Sequence, residues 1–128
     1  MSVRIVRLGS ARTAGEGPRI GTVRRPPRGV RKEDHASGNW YDTWLPELSP
    51  SAGLVTEARA VDTDKDWQAF VKAFRREMAE ATPARLLDML ALLSRSANFS
   101  LGCYCEDEDR CHRSVLRALL AERGADVE

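Results

Sequence analysis

Residues 3–8, Val-Arg-Ile-Val-Arg-Leu, are rich in β-branched and apolar side chains and are stopped by Gly9 and Ser10, which predicts a short buried strand near the sheet centre. Ile20 to Val23 reads as a second brief strand, ended by Pro26 and Pro27, which lack the backbone donors a ladder needs. From there to Pro50 no period is visible, yet Trp40, Tyr41 and Trp44 fall in this stretch, so the loop is expected to pack onto the domain.

Helical spacing then takes over. Ser49-Pro50 has the form of an N-cap with proline in the first turn and predicts a short helix through Leu54, Val55 and Ala58. Asp64 is the expected cap of a second helix, with Trp67, Phe70, Val71, Phe74 and Met78 along one face as core. Thr82-Pro83 repeats the cap signal. The leucine-rich run from Leu86 to Leu93 that follows predicts a helix buried on more than one side. Phe99 to Cys105 reads as a strand and Arg110 to Arg123 as a last helix stopped by Gly124. Strands alternating with helices indicate an α/β class: a single compact domain over residues 1–128, with a small, mostly parallel sheet flanked by helices.

Composition changes this picture in two ways. No apolar run approaches the roughly 20 residues of a membrane span, and the first residues lack the continuous apolar core of a signal peptide, so a cytoplasmic protein without membrane contact is expected. The net charge of +1 hides an asymmetry: residues 1–32 hold nine basic groups against Glu16 alone, whereas the remainder balances at −7. An affinity for anions would therefore be local to the front of the chain. Arg24, Arg25 and Arg28, set around the two prolines, are the candidate anion-binding residues of that segment. With Trp40, Tyr41 and Trp44 downstream, the segment has the ingredients of a single-stranded nucleic-acid groove, and equally of a solvated basic loop. Arginine makes up seventeen of the twenty basic residues, a bias that suits phosphate and that a GC-rich genome would also produce.

Cys103, Cys105 and Cys111 lie with His112 in an eleven-residue segment ending at Arg113. Their odd number and the expected reducing compartment argue for free thiols or metal ligands over disulfides. Cys103 and Cys105 should share a strand face. Asp107 or Asp109 is expected to cap the last helix, placing Cys111, His112 and Arg113 in its first turn, where unpaired N–H groups favour an anion. Three readings stay open: a reactive thiol at Cys111, with His112 as acid–base partner and Arg113 binding the anion; a metal on the cysteines and His112; and buried cysteines that only pack. The Cys-x-Cys and adjacent Cys-His spacings depart from the usual zinc knuckle, so no metal or other cofactor is called for. Four consecutive acids, Glu106 to Asp109, oppose a thiolate.

Val23-Arg24-Arg25-Pro26-Pro27-Arg28-Gly29, Lys32-Glu33-Asp34 and the run Trp44-Leu45-Pro46-Glu47-Leu48-Ser49-Pro50-Ser51 resemble the opening half of the YeaO-like family, domain of unknown function 488. Leu101 to Arg113, with Cys103, Glu106, Cys111, His112 and Arg113, is similar to the strand-to-helix signature of its cysteine-bearing branch. The resemblance implies a small α/β domain and carries no established activity, substrate or cofactor. Where that family usually has an aromatic residue before its proline-arginine, this chain has Pro26. Together the residues and the resemblance lead to one expectation: an anion pocket for a phosphate-bearing ligand or nucleic acid, with thiol-dependent chemistry at Cys111-His112-Arg113. The alternative is a non-enzymatic nucleic-acid or protein-binding module with structural cysteines.

Overall fold

A computed structural model describes all 128 residues. The chain runs β1 (Val3–Arg7), β2 (Arg19–Gly21), β3 (Thr43–Trp44), α1 (Ala52–Arg59), α2 (Asp64–Met78), α3 (Ala81–Leu93), β4 (Phe99–Cys103) and α4 (His112–Glu122), with 3-10 turns at Lys32–Asp34, Pro46–Leu48 and Glu108–Arg110. The four strands form one parallel sheet in the order β1-β4-β2-β3. This is the compact α/β domain the alternation predicts.

The central strand is not the one the hydrophobic pattern favours. β1 lies at an edge, paired on one side with β4 and prolonged on the other only by a bridge from Val3 to Val127. β4, buried at every residue, takes the middle although Ser100 and Gly102 interrupt its apolar pattern. Small residues serve there because the second face of the sheet is covered by chain at close range. The Ser100 hydroxyl donates to the Glu16 carbonyl at 3.1 Å, and a Cβ on Gly102 would meet the Leu8 side chain at 2.4 Å. Gly17 completes this cover with φ +74°, and a Cβ there would stand 2.0 Å from the Asn98 carbonyl oxygen.

The other face carries the main core. Leu101 and Phe99 of β4 and Val3 of β1 join Leu54, Phe74, Leu87 and Leu116, which come from each of the four helices. Several helix starts sit elsewhere than the cap signals suggest. Ser51, not Ser49, caps α1, and Pro50 precedes the cap. Thr63 caps α2 in a reciprocal capping box with Asp66, leaving Asp64 inside the first turn. α3 begins before Thr82, with Glu80 at the cap position and Pro83 within the first turn, where its missing N–H costs nothing. The expectation that α3 is buried on more than one side is overturned: Leu87, Leu90 and Ala91 face the core, while Met89, Leu92 and Leu93 are exposed. Gly124, at φ +78°, ends α4 as expected.

Candidate functional site

In a parallel sheet the carboxyl ends of the strands form the ligand-facing edge. Here a cleft of about 1110 Å³ opens at that edge. Its walls come from the segments just after β1, β2 and β4 and from α1. Six arginines line it, Arg7, Arg24, Arg25, Arg28, Arg59 and Arg110, and no carboxylate does. Arg110 is paired with Asp64 and lies over the Trp67 ring. Arg24 holds the loop, donating to the carbonyls of Pro50 and Ser49 at 3.0 and 3.2 Å. Arg7, Arg24, Arg25, Arg28 and Arg59 have no carboxylate partner. The basic loop thus folds over the cysteine segment, and the Tyr104 hydroxyl fastens it by donating to the Arg25 carbonyl at 2.8 Å. Sequence reasoning missed Arg7, Arg59 and Arg110, because nothing in their local context marks residues from three distant segments as neighbours.

At the floor the three cysteines and His112 converge. β4 ends at Cys103, so Cys105 lies beyond the strand and is exposed, whereas Cys103 and Cys111 are buried. Their register still brings the sulfurs of Cys103 and Cys105 to 3.8 Å. Asp107 caps the preceding 3-10 turn, not α4. Cys111 is the N-cap of α4 in extended conformation, and it makes no side-chain cap bond. That places Cys111 Sγ 3.7 Å from His112 Nδ1, although the two residues are adjacent.

The His112 tautomer follows from its partners. Nε2 lies 2.6 Å from the Thr22 carbonyl oxygen, which can only accept, so Nε2 carries the proton and donates. In the neutral ring Nδ1 then offers its lone pair toward Cys111. Phe74 fixes the ring plane from below, edge to face at 5.6 Å. Arg113 is buried and forms no part of the cleft wall. Its guanidinium donates to Cys111 Sγ at 3.4 Å and to the Cys105 carbonyl at 2.6 Å. It therefore fastens the cysteine loop from behind, with no carboxylate to balance its charge.

These contacts divide the thiol protons unequally. Cys103, hydrogen-bonded to Cys105 and Cys111 and desolvated, holds its proton well above the ordinary thiol range. Hydrogen bonds from Cys103 and Cys111, with the Arg113 charge, push Cys105 well below that range against the opposing effect of burial. Cys111 is lowered chiefly by its bond from Cys103, with His112 adding to the effect. Exposure then decides which sulfur a reagent meets. In reduced, chelator-treated protein, iodoacetamide is expected to label Cys105 first, with Cys103 and Cys111 reacting only after denaturation, as read residue by residue in a mass spectrometer. Equal labelling of all three would show that the floor is open.

Fold and site together define a small parallel α/β domain with an arginine-lined cleft above a thiol–imidazole cluster. The family model described as the active DUF488-N3 subclade matches residues 3–124, and the chain belongs to that family. No curated protein and no solved structure matches it. No helix is long and apolar enough to cross a membrane.

Proposed function

We propose that the protein binds a phosphate-bearing ligand in the cleft at the strand ends. The observation that carries this reading is the charge of the wall: six arginines without a single carboxylate, five of them free of any acidic partner. Like charges gathered at one surface repel one another, and an anion relieves that repulsion while accepting charge-assisted hydrogen bonds. Arg25 and Arg28 are the ligand contacts from the basic loop, with Arg59 opposite on α1. Arg24 positions the loop through its bonds to Ser49 and Pro50. Of the residues the sequence singles out, Arg113 acts from behind as a fastener of Cys105 and Cys111. The thiol-dependent step, where that thiol is free, belongs to the sulfur on the cleft surface, Cys105, with Cys111 and His112 as the buried partners of its hydrogen-bond network.

Titration with inorganic phosphate, pyrophosphate and a single-stranded oligonucleotide, followed by intrinsic tryptophan fluorescence, tests this. Arg25→Ala and Arg28→Ala are each expected to weaken pyrophosphate binding by roughly ten- to a hundredfold, and the double variant by more, since a hydrogen bond to a charged group contributes about 1.5–3 kcal/mol. Unchanged binding in the double variant, or none by the wild type at low salt, would overturn the reading. Trp40, half-buried at the cleft wall and edge-on to Tyr104 at 5.9 Å, favours a second reading in which a base stacks there. A much steeper salt dependence for the oligonucleotide than for pyrophosphate, unaffected by alkylation, would identify that non-enzymatic binding module.

A further inference from the structure

We propose that Cys103, Cys105, Cys111 and His112 form a zinc site beneath the cleft. The donor atoms of Cys103, Cys111 and His112 already lie within 4.8 Å of one another. The closer pairs match the edges of a small tetrahedron. Two thiolates on one tetrahedral zinc, each about 2.3 Å from the ion, stand about 3.8 Å apart, and a thiolate and an imidazole nitrogen about 3.5 Å. The Cys103–Cys105 sulfurs are 3.8 Å apart, and Cys111 Sγ is 3.7 Å from His112 Nδ1. Cys105, already 3.8 Å from Cys103 and exposed, completes the set by turning its sulfur toward the other three.

Two independent features support a metal over packed thiols. The first is the histidine. Its Nε2–H is committed to the Thr22 carbonyl at 2.6 Å, the outer-shell bond that orients a ligating imidazole and leaves Nδ1 as the donor. The second is Arg113, a buried cation with no carboxylate partner, placed 3.4 Å from Cys111 Sγ. Zinc with three thiolates and a neutral imidazole carries one negative charge, which Arg113 neutralises where water cannot. Soft sulfur donors with one imidazole suit zinc. Binding releases the thiol protons to solvent, with no change in oxidation state. In the loaded protein Cys105 is a ligand; its free thiol appears only when the metal is removed. The site uses none of the six cleft-wall arginines, so loss of phosphate binding and loss of zinc binding are separate results.

The test uses the full, untagged, reduced chain, stripped with chelator and then given Zn²⁺ or Co²⁺ alone. About one Zn²⁺ per chain is expected to survive desalting and to raise the melting temperature. Co²⁺ is expected to give thiolate-to-metal charge transfer together with the intense visible bands of tetrahedral coordination. Cys105→Ser changes an exposed side chain, so the variant should fold as the wild type does while binding Co²⁺ at least about tenfold more weakly, with less charge transfer. Zinc lost on desalting, cobalt spectra of a hexahydrated ion, or Cys105→Ser binding as tightly as the wild type would each overturn the four-donor site.

Discussion

Arg19→Met is expected to cost about 3–5 kcal/mol at neutral pH, the range for removing one partner of a buried ion pair. Arg19 and Glu16 are 1% and 3% exposed at the side chain, and Nε donates to the Glu16 carboxylate at 2.6 Å. The same guanidinium donates to the carbonyls of Ser10, Ala11 and Asn39 at 2.8, 3.2 and 2.7 Å. It therefore ties β2 to both loops that cover the second face of the sheet. Methionine fills much of the volume but leaves the Ser10 and Ala11 carbonyls and one Glu16 oxygen without a donor, while Asn39 keeps only the Gly9 N–H. Out of a total stability of about 5–15 kcal/mol, that loss is a large share.

The pH dependence distinguishes this account from simple loss of packing. Burial alone would raise the Glu16 pKa, but hydrogen bonds from Arg19 and Thr13 and the Arg19 charge overcome it and leave it lowered. A carboxyl lowered on folding stabilises the native state above its unfolded pKa, and that stability is lost as pH falls through the folded value. In Arg19→Met the sign reverses: a buried carboxyl without its cation prefers to be protonated. The gap between wild type and variant in urea unfolding should therefore be widest near pH 7 and narrow through the ordinary glutamate range and below it, first as the variant's carboxyl takes up its proton and then as the wild-type Glu16 does. A gap under about 1 kcal/mol at pH 7, or one independent of pH, would show that the pair is not the keystone of this face.

The pair also shows where sequence reading stops. Arg19 and Glu16 count in a linear reading only as members of a basic segment, because nothing local says that the bend through Gly17 and Pro18 turns both inward. The class of fold is legible because alternating strand and helix patterns survive without tertiary information, and the cysteine cluster is legible because its residue types are rare. Strand order is not legible: β4 became central through close cover of Ser100 and Gly102, a property of the covering loop rather than of β4's own hydrophobicity. Nor is the inside or outside of the site. Arg113 and Cys105 look alike as neighbours of Cys111, yet the end of β4 at Cys103 turns Cys105 out, and the first turn of α4 turns Arg113 in.

Phe74→Ala is expected to cost a further roughly 3–5 kcal/mol as a single change, typical of deleting a buried ring. Phe74 is fully buried in the middle of α2. Its ring continues a row from Trp67 through Phe70, with centroids 5.1 and then 5.9 Å apart, and the row ends edge-on against His112. What reads from helical spacing as plain core is also the support of the site floor. Leu120→Ala, equally buried but two turns along α4 from His112, provides the control, since it should destabilise the fold by about 2–5 kcal/mol without removing a contact to the imidazole. Both variants should show lower urea midpoints. Only Phe74→Ala should accelerate native-state alkylation of Cys111, because the ring that holds His112 against Thr22 and Cys111 is gone. Equal acceleration in the two variants would reduce Phe74 to bulk packing, whereas a selective effect would show that the aromatic face of α2 sets the geometry at which the thiols and the imidazole meet.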